Sequence, residues 1–421
     1  MSILPAVLLW AAAADDDWPT WQHDAARTGR TTEFARVKSF PEMPRAAWKF
    51  SFPDRVHFRM QPIAVRGVVY VGCMDGRIYA FNGRDGTPRW TFPADGEITN
   101  APTVEAGLVV FGTAAGSVYA LDAADGREVW RRKVGGPVLS SPAAAEGMVF
   151  VGSLDGRLHA FDTKTGAERW TLATGGKIVQ SPAARDGRVF VGSEDLCAWA
   201  ADARTGRLLW TSPVGGITLR WGYPVVAGET VAFTTVQPGK GFAGGYKGGR
   251  YSPQEREVSV KDETVLFDAK TGKRKFPDLR VACWYYNLIP PVAKDNDTLW
   301  LLDAELHALD LKTGTVETCG RHSTRGDERP CPSIGGDGLL YGVIDQNIFT
   351  YDPARRKVER NLWGTPYLHR KPPDFMIGDN LMRFSSGTGG GGAGCGSSFV
   401  MSRGMGYVLI YGWLYAFRLD A

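Results

Sequence analysis

The chain has 421 residues, with 49 Lys and Arg against 45 Asp and Glu, and a net charge of +4. So small an imbalance, with no basic stripe interleaved with aromatics, excludes nucleic acid as the expected partner. No segment beyond the first fourteen residues is apolar for long enough to span a bilayer, and no linker or composition break divides the chain.

In chain order, residues 1–14 read as an export signal. Ile3 to Trp10 form a short apolar core, and Ala11 to Ala14 offer a small-residue cleavage site before Asp15, although the stretch ahead of the core has no Lys or Arg. The remaining residues 15–421 read as a single domain in a periplasmic or otherwise extracytoplasmic compartment. Six cysteines fit that setting. Cys319 and Cys331 flank one loop and are the candidate disulfide pair. The bond would join the outer strand of one blade to the inner strand of the next, a long reach for Cα atoms that must approach within about 7 Å.

Next comes a lone strand, Arg45 to Phe50, carrying Trp48. Four phrases follow, each ending in tryptophan: Trp90, Trp130, Trp170 and Trp210, at a spacing of forty residues. A fixed period of this size marks one supersecondary unit copied along the chain. In the third copy, Met148 to Val151 is a β-branched and aromatic run. Leu154-Asp155-Gly156-Arg157 carries the Asp-Gly signal of a two-residue hairpin. Leu158 to Asp162 alternates, Thr165-Gly166 turns, and Glu168 to Thr171 makes a last strand. The next copy opens on Ser181-Pro182-Ala183-Ala184, with proline where no ladder donor is lost. Each unit is therefore a four-stranded antiparallel meander, strands A to D from the inside out, and a ring of them is a β-propeller. The Asp carboxylate suits acceptance of backbone N–H groups across the C–D turn, and Trp suits a wedge against the neighbouring sheet.

Later copies decay. Val265 to Gly272 leads to Phe276 in the Trp position, Leu306 to Gly314 leads to Glu317, and Ile348 to Asp352 leads to a charged, tryptophan-free strand near Val358. The last copy, Trp413 to Asp420, ends before a D strand, which the strand around Trp48 supplies. The fold class is all-β: an eight-bladed β-propeller closed by N- and C-terminal strands.

These repeats resemble the pyrroloquinoline-quinone (PQQ) enzyme repeat, whose Ala-x-Asp-x-x-Thr-Gly-x-x-x-Trp phrase docks neighbouring blades. Asp17-Trp18-Pro19 with Ala26-Arg27-Thr28-Gly29 also resembles the N-terminal segment of such proteins, so the likeness covers about residues 17–421. The superfamily includes quinoprotein alcohol dehydrogenases and the propeller of the outer-membrane β-barrel assembly machinery, which binds no quinone. The chain departs from the dehydrogenases in having no adjacent cysteine pair and no match to their calcium-ligand set or catalytic aspartate. It departs from the lipoprotein assembly factor in having no cysteine before Cys73.

In a propeller, D–A and B–C connections share one face. Both large departures from the repeat fall there: 238–262 interrupts the B–C hairpin of blade five, and 361–396 expands the link from blade seven to blade eight. Long loops on a rigid scaffold favour binding. The later D–A loops bring Arg59, Arg220, Trp221, Tyr223, Trp284, Tyr285, His322 and Arg329 toward the funnel. Their aromatic and cationic groups suit a planar or anionic ligand, or else simply fill the channel. His322 with Asp327 or Glu328 is an acid–base candidate. Asp295-Asn296-Asp297 reads as a turn rather than a cation site.

The leading expectation is a non-catalytic, monomeric binding or scaffold module for a protein or envelope polymer, with no cofactor and no metal. Two alternatives stay open. One is an oxidoreductase holding PQQ in the funnel, and the other is a polysaccharide hydrolase or lyase using the His322 loop.

Overall fold

The structure is a computed structural model describing residues 16–34, 36, 46–57, 60–216, 218–219, 222–247, 250–277, 279, 282–284, 291–302, 305–321, 333–344, 347–352, 357–363, 399–410 and 412–420. Its strands form eight separate antiparallel sheets, with no helix among the described residues. Blade one is the meander Ile63–Val65, Val68–Gly72, Arg77–Asn82 and Pro88–Pro93. The pattern recurs through blade seven, and the inner strand of blade one neighbours those of blades two and eight. Blade eight takes three strands from the C-terminus, Val400–Ser402, Met405–Ile410 and Trp413–Arg418. Its fourth strand is Trp48–Ser51, with Trp48 opposite Ala416 and Ser51 opposite Trp413. The expected eight blades and their closure are what the chain forms.

The turns differ in one detail from expectation. The two-residue hairpins are the A–B turns, such as Glu146-Gly147 with φ of 55° and 73°. Positive φ at both central residues matches the right-handed twist of the strands. The Asp155-Gly156 turn is longer. Ser153 N–H donates to the Arg157 carbonyl at 3.1 Å, leaving three residues in the loop, with Gly156 at φ 81°.

The tryptophan wedge is direct. A Cβ on Gly166 would lie 2.5 Å from the Trp130 ring, and Trp130 Nε1 donates to the Thr163 carbonyl at 2.9 Å. The same docking joins Trp48 to Gly86, Trp90 to Gly126, Trp170 to Gly206 and Trp210 to Gly272. Phe276 takes the role against Gly314, as its place in the repeat suggested, but without an indole N–H. Each turn glycine therefore answers two demands, a positive φ and a flat aromatic face resting on its Cα.

The aspartate of the phrase caps its turn, a place taken in the first copy by Asn82, whose Oδ1 accepts from Arg84 N–H at 3.0 Å. Asp202 Oδ1 accepts from Arg204 N–H at 3.1 Å, Thr205 N–H at 2.8 Å and the Thr205 hydroxyl at 2.8 Å. The Thr205 hydroxyl and then its N–H hold this carboxyl below the usual carboxylate range. At Asp162 the Arg169 guanidinium leads, followed by Thr165.

Two expectations need correction. Residues 238–262 do not break the B–C hairpin of blade five; they extend it. Strands Thr230–Lys247 and Arg250–Asp268 stay in register out to Lys247 opposite Arg250, with one irregularity between Gln237 and Pro238. A bulge absorbs the register change at Pro238, which cannot donate to a ladder. In blade seven the outer strand is Lys357–Trp363, so it is not free of tryptophan. Arg360, opposite Thr350, occupies the docking position, and Trp363 lies at the strand's end. Residues 1–15, Cys331 and 364–396 lie outside the described residues, so the signal segment, the disulfide and most of the second insertion do too.

Candidate functional site

The axis of the ring is filled by the chain's own N-terminal segment. Residues 17–31 form no strand, yet they pair with one inner strand after another. Trp18 exchanges hydrogen bonds with Ala64 of blade one, at 2.5 and 3.0 Å. Val104 N–H of blade two donates to the Pro19 carbonyl at 2.7 Å, and Ala184 N–H of blade four to Ala25 at 2.7 Å. Val226 N–H of blade five donates to Ala26 at 2.9 Å, Ala293 N–H of blade six to Thr28 at 3.2 Å, and Ile334 N–H of blade seven to Gly29 at 2.8 Å. At blade eight, Arg403 Nε donates to the buried Asp17 carboxylate at 2.9 Å and Gly404 N–H to Glu33 Oε2 at 3.2 Å. Among the described residues, no strand pairs with the inner strands on the axis side. The segment supplies the carbonyls that their amides require.

Blade three is met by a side chain. Arg27 is fully buried, and all five of its N–H groups are used. Nη2 donates to the carbonyls of Pro142 at 2.8 Å and Ser141 at 3.3 Å, and Nε to that of Pro182 at 3.0 Å. Nη1 donates to the Trp21 carbonyl and the Thr20 hydroxyl, both at 2.8 Å. The prolines that open strand A thus present fixed carbonyls to the axis. Burial pushes the guanidinium down to about 10, opposed by the nearby Asp24 carboxylate, so it stays charged at neutral pH. Asp24 accepts from Thr28 N–H at 3.0 Å and from the Thr28 hydroxyl. Burial opposes its ionisation, but His23 and Thr28 outweigh it and its carboxyl sits below the usual range. Around this turn Trp21 Nε1, Gln61 Nε2 and Ser141 Oγ are buried with no partner among the described residues. Native interiors meet such groups with ordered water or a ligand.

Of the residues expected at the funnel, Tyr223 is buried rather than on a rim, its ring edge-on to Trp21 at 5.9 Å. Trp284 lies in a short strand, Ala282–Trp284, that pairs with the base of the blade-five ribbon, Trp284 opposite Lys261. Arg59, Arg220, Trp221, Tyr285, His322 and Arg329 lie outside the described residues, as do Asp327 and Glu328. Asp295-Asn296-Asp297 is the A–B turn of blade six. Asp295 accepts from Asp297 N–H at 2.8 Å, Asp297 pairs with Lys312 at 2.7 Å, and Asn296 accepts from Arg185 at 2.9 Å.

Together these features define an eight-bladed, PQQ-like propeller with an occupied axis and a ribbon on one face. The chain belongs to the family described as outer membrane protein assembly factor BamB, whose model matches residues 33–141 and 114–250, just over half of the chain. Among solved structures, BamB from Moraxella catarrhalis is similar at 20% identity with a TM-score of 0.51, over 76% of this chain and 91% of that one. The quinohemoprotein alcohol dehydrogenase from Comamonas testosteroni is similar at 14% identity with a TM-score of 0.63, over 97% of this chain and 81% of that one. The computationally designed Ika8 protein is similar at 12% identity with a TM-score of 0.60, over 87% of this chain and 98% of that one. At such identities the likeness is one of fold. No curated protein matches the chain in sequence.

The axial residues do not fit a quinone at the level of the inner strands. A planar anionic cofactor there needs an open slot and a cationic donor that the chain has not already committed. Arg27 has no N–H to spare, and the segment occupies the space between the strands.

Proposed function

We propose that the protein is an extracytoplasmic binding module, a BamB-like factor that holds a protein partner of the cell envelope on its D–A and B–C face. The observation that carries this reading is the blade-five ribbon. From Pro238 to Lys247 and from Arg250 to Val258, its two strands pair only with each other among the described residues. A lone two-stranded ribbon is marginal in water, and its open edges invite a further strand. Such an edge takes a partner's extended segment through main-chain hydrogen bonds. Family membership supports the assignment to envelope assembly, and the sequence of residues 1–14 supports export.

A photo-crosslinking residue at Tyr246 or Tyr251 tests this in living cells. The expected product is a discrete adduct with an outer-membrane or periplasmic protein, lost when 238–262 is replaced by a two-residue turn and weakened by Trp284→Ala at the ribbon base. Absence of any adduct at either position, with cells indifferent to loss of the ribbon, contradicts the proposal. The quinoprotein alternative is tested beside it. PQQ with calcium is expected to leave the melting temperature unchanged, since only a ligand that binds the folded state raises it. A clear rise accompanied by dye-linked alcohol oxidation overturns the binding reading.

A further inference from the structure

We propose that the inner wall of the ring is a peptide-binding site, which the chain fills in cis with residues 16–34, and that this segment is a separable ligand rather than an integral strand. The proposal is independent of the ribbon and of any partner on the loop face.

The geometry supports it in three ways. First, the wall's contribution is mostly backbone: one N–H from each of six inner strands, those of Ala64, Val104, Ala184, Val226, Ala293 and Ile334, reaching carbonyls of the segment at 2.7–3.2 Å. An array of amides facing one axis suits an irregular chain that turns as it passes from blade to blade, and it would remain unpaired or wet without one. Second, recognition rests on a few anchors. Trp18 is fully buried, with Nε1 donating to Gln61 at 3.3 Å and its ring edge-on to His23 at 5.1 Å. Arg27 reads three fixed wall carbonyls of blades three and four. A few buried anchors amid general complementarity are how peptide ligands are held. Third, the segment is also bonded to itself. Arg27 N–H donates to Asp24 at 3.0 Å, Gly29 N–H to Gln22 at 2.9 Å and Arg27 Nη1 to Trp21 at 2.8 Å, so a compact loop can enter as a unit. Its contacts run from blade one to Arg403 of blade eight, so the complete wall exists only when all eight blades are in place.

The test cuts the folded full-length protein. A protease site placed within residues 37–45 is cleaved after purification, and exchange with a fluorescent synthetic peptide of residues 16–36 is followed by anisotropy. The expected result is a folded, nicked protein that takes up the labelled peptide and releases its own segment. The same peptide carrying Arg27→Ala should bind about 100-fold more weakly, because charged hydrogen bonds to buried carbonyls are lost. Equal binding of the Arg27→Ala peptide overturns the proposal. So does loss of the segment from a ring that stays folded and takes up no peptide, or collapse of the protein on cleavage.

Discussion

Arg27→Ala is expected to lower the unfolding free energy by about 3–5 kcal/mol, the range for emptying a large buried site whose polar partners lose their donor. The loss has two parts. The side chain leaves a cavity on the axis, and the carbonyls of Pro142, Pro182 and Trp21 and the hydroxyl of Thr20 lose a donor at 2.8–3.0 Å. Arg27→Lys is expected to recover only part of this. An ammonium has three donors on a point charge and cannot span the five directions that the planar fork serves. Urea unfolding of the three proteins checks the order, wild type above Lys above Ala. If the alanine variant unfolds at the wild-type midpoint, the axial contacts of Arg27 contribute no net stability.

Trp48→Ala is the second large effect, also about 3–5 kcal/mol. Trp48 docks on Gly86, donates Nε1 to the Gly83 carbonyl at 2.8 Å, and packs near Phe81 and Tyr407, each with ring centroids 6.1 Å away. Among the described residues it is also the only tryptophan of the repeat on a strand remote in sequence from its blade, so it welds the ring shut. A chain beginning at Phe52 loses this strand and bares the edge of Trp413–Arg418, which is expected to drive association. Light scattering and melting curves separate the outcomes. The point variant should keep the association state of the intact protein with a lowered midpoint, and the truncated chain should aggregate or melt without cooperativity. A truncated chain that melts like the intact protein contradicts closure by Trp48–Ser51.

The sequence is legible where side chains carry the structure and obscure where the backbone does. Trp90, Trp130 and Trp170 each meet a turn glycine thirty-six residues ahead, so the contact writes itself as a period. Phe276 could be placed because its turn, Thr271-Gly272, survives although the indole is gone. The lone Trp48 strand could be matched to the unfinished last blade by the same logic. The axial segment left no such trace. Its partners are the amides of Ala64, Val104, Ala184, Val226, Ala293 and Ile334, and an amide imposes no residue type on the carbonyl that it meets. Trp18, Asp24 and Arg27 were the visible signal: bulky or charged groups in a stretch with neither strand nor helix period, ahead of the first strand. The ribbon was hidden for a different reason. Its glycines and Pro238 read as breakers, while the register survives through a bulge. Among the funnel residues, Tyr223 was singled out as an aromatic loop residue. Its burial against Trp21 depends on a segment two hundred positions away in the chain, which local pattern does not encode.

The most direct measurement of the central claim, that residues 17–31 occupy the axis of the native ring, is amide hydrogen exchange on the intact protein. Peptides covering this stretch are expected to exchange far more slowly than an unstructured peptide, because their amides and carbonyls are buried and bonded against inner strands such as Ala183–Arg185 and Val225–Ala227. Exchange of 17–31 at the rate of an unstructured peptide, while those inner strands stay protected, would contradict it.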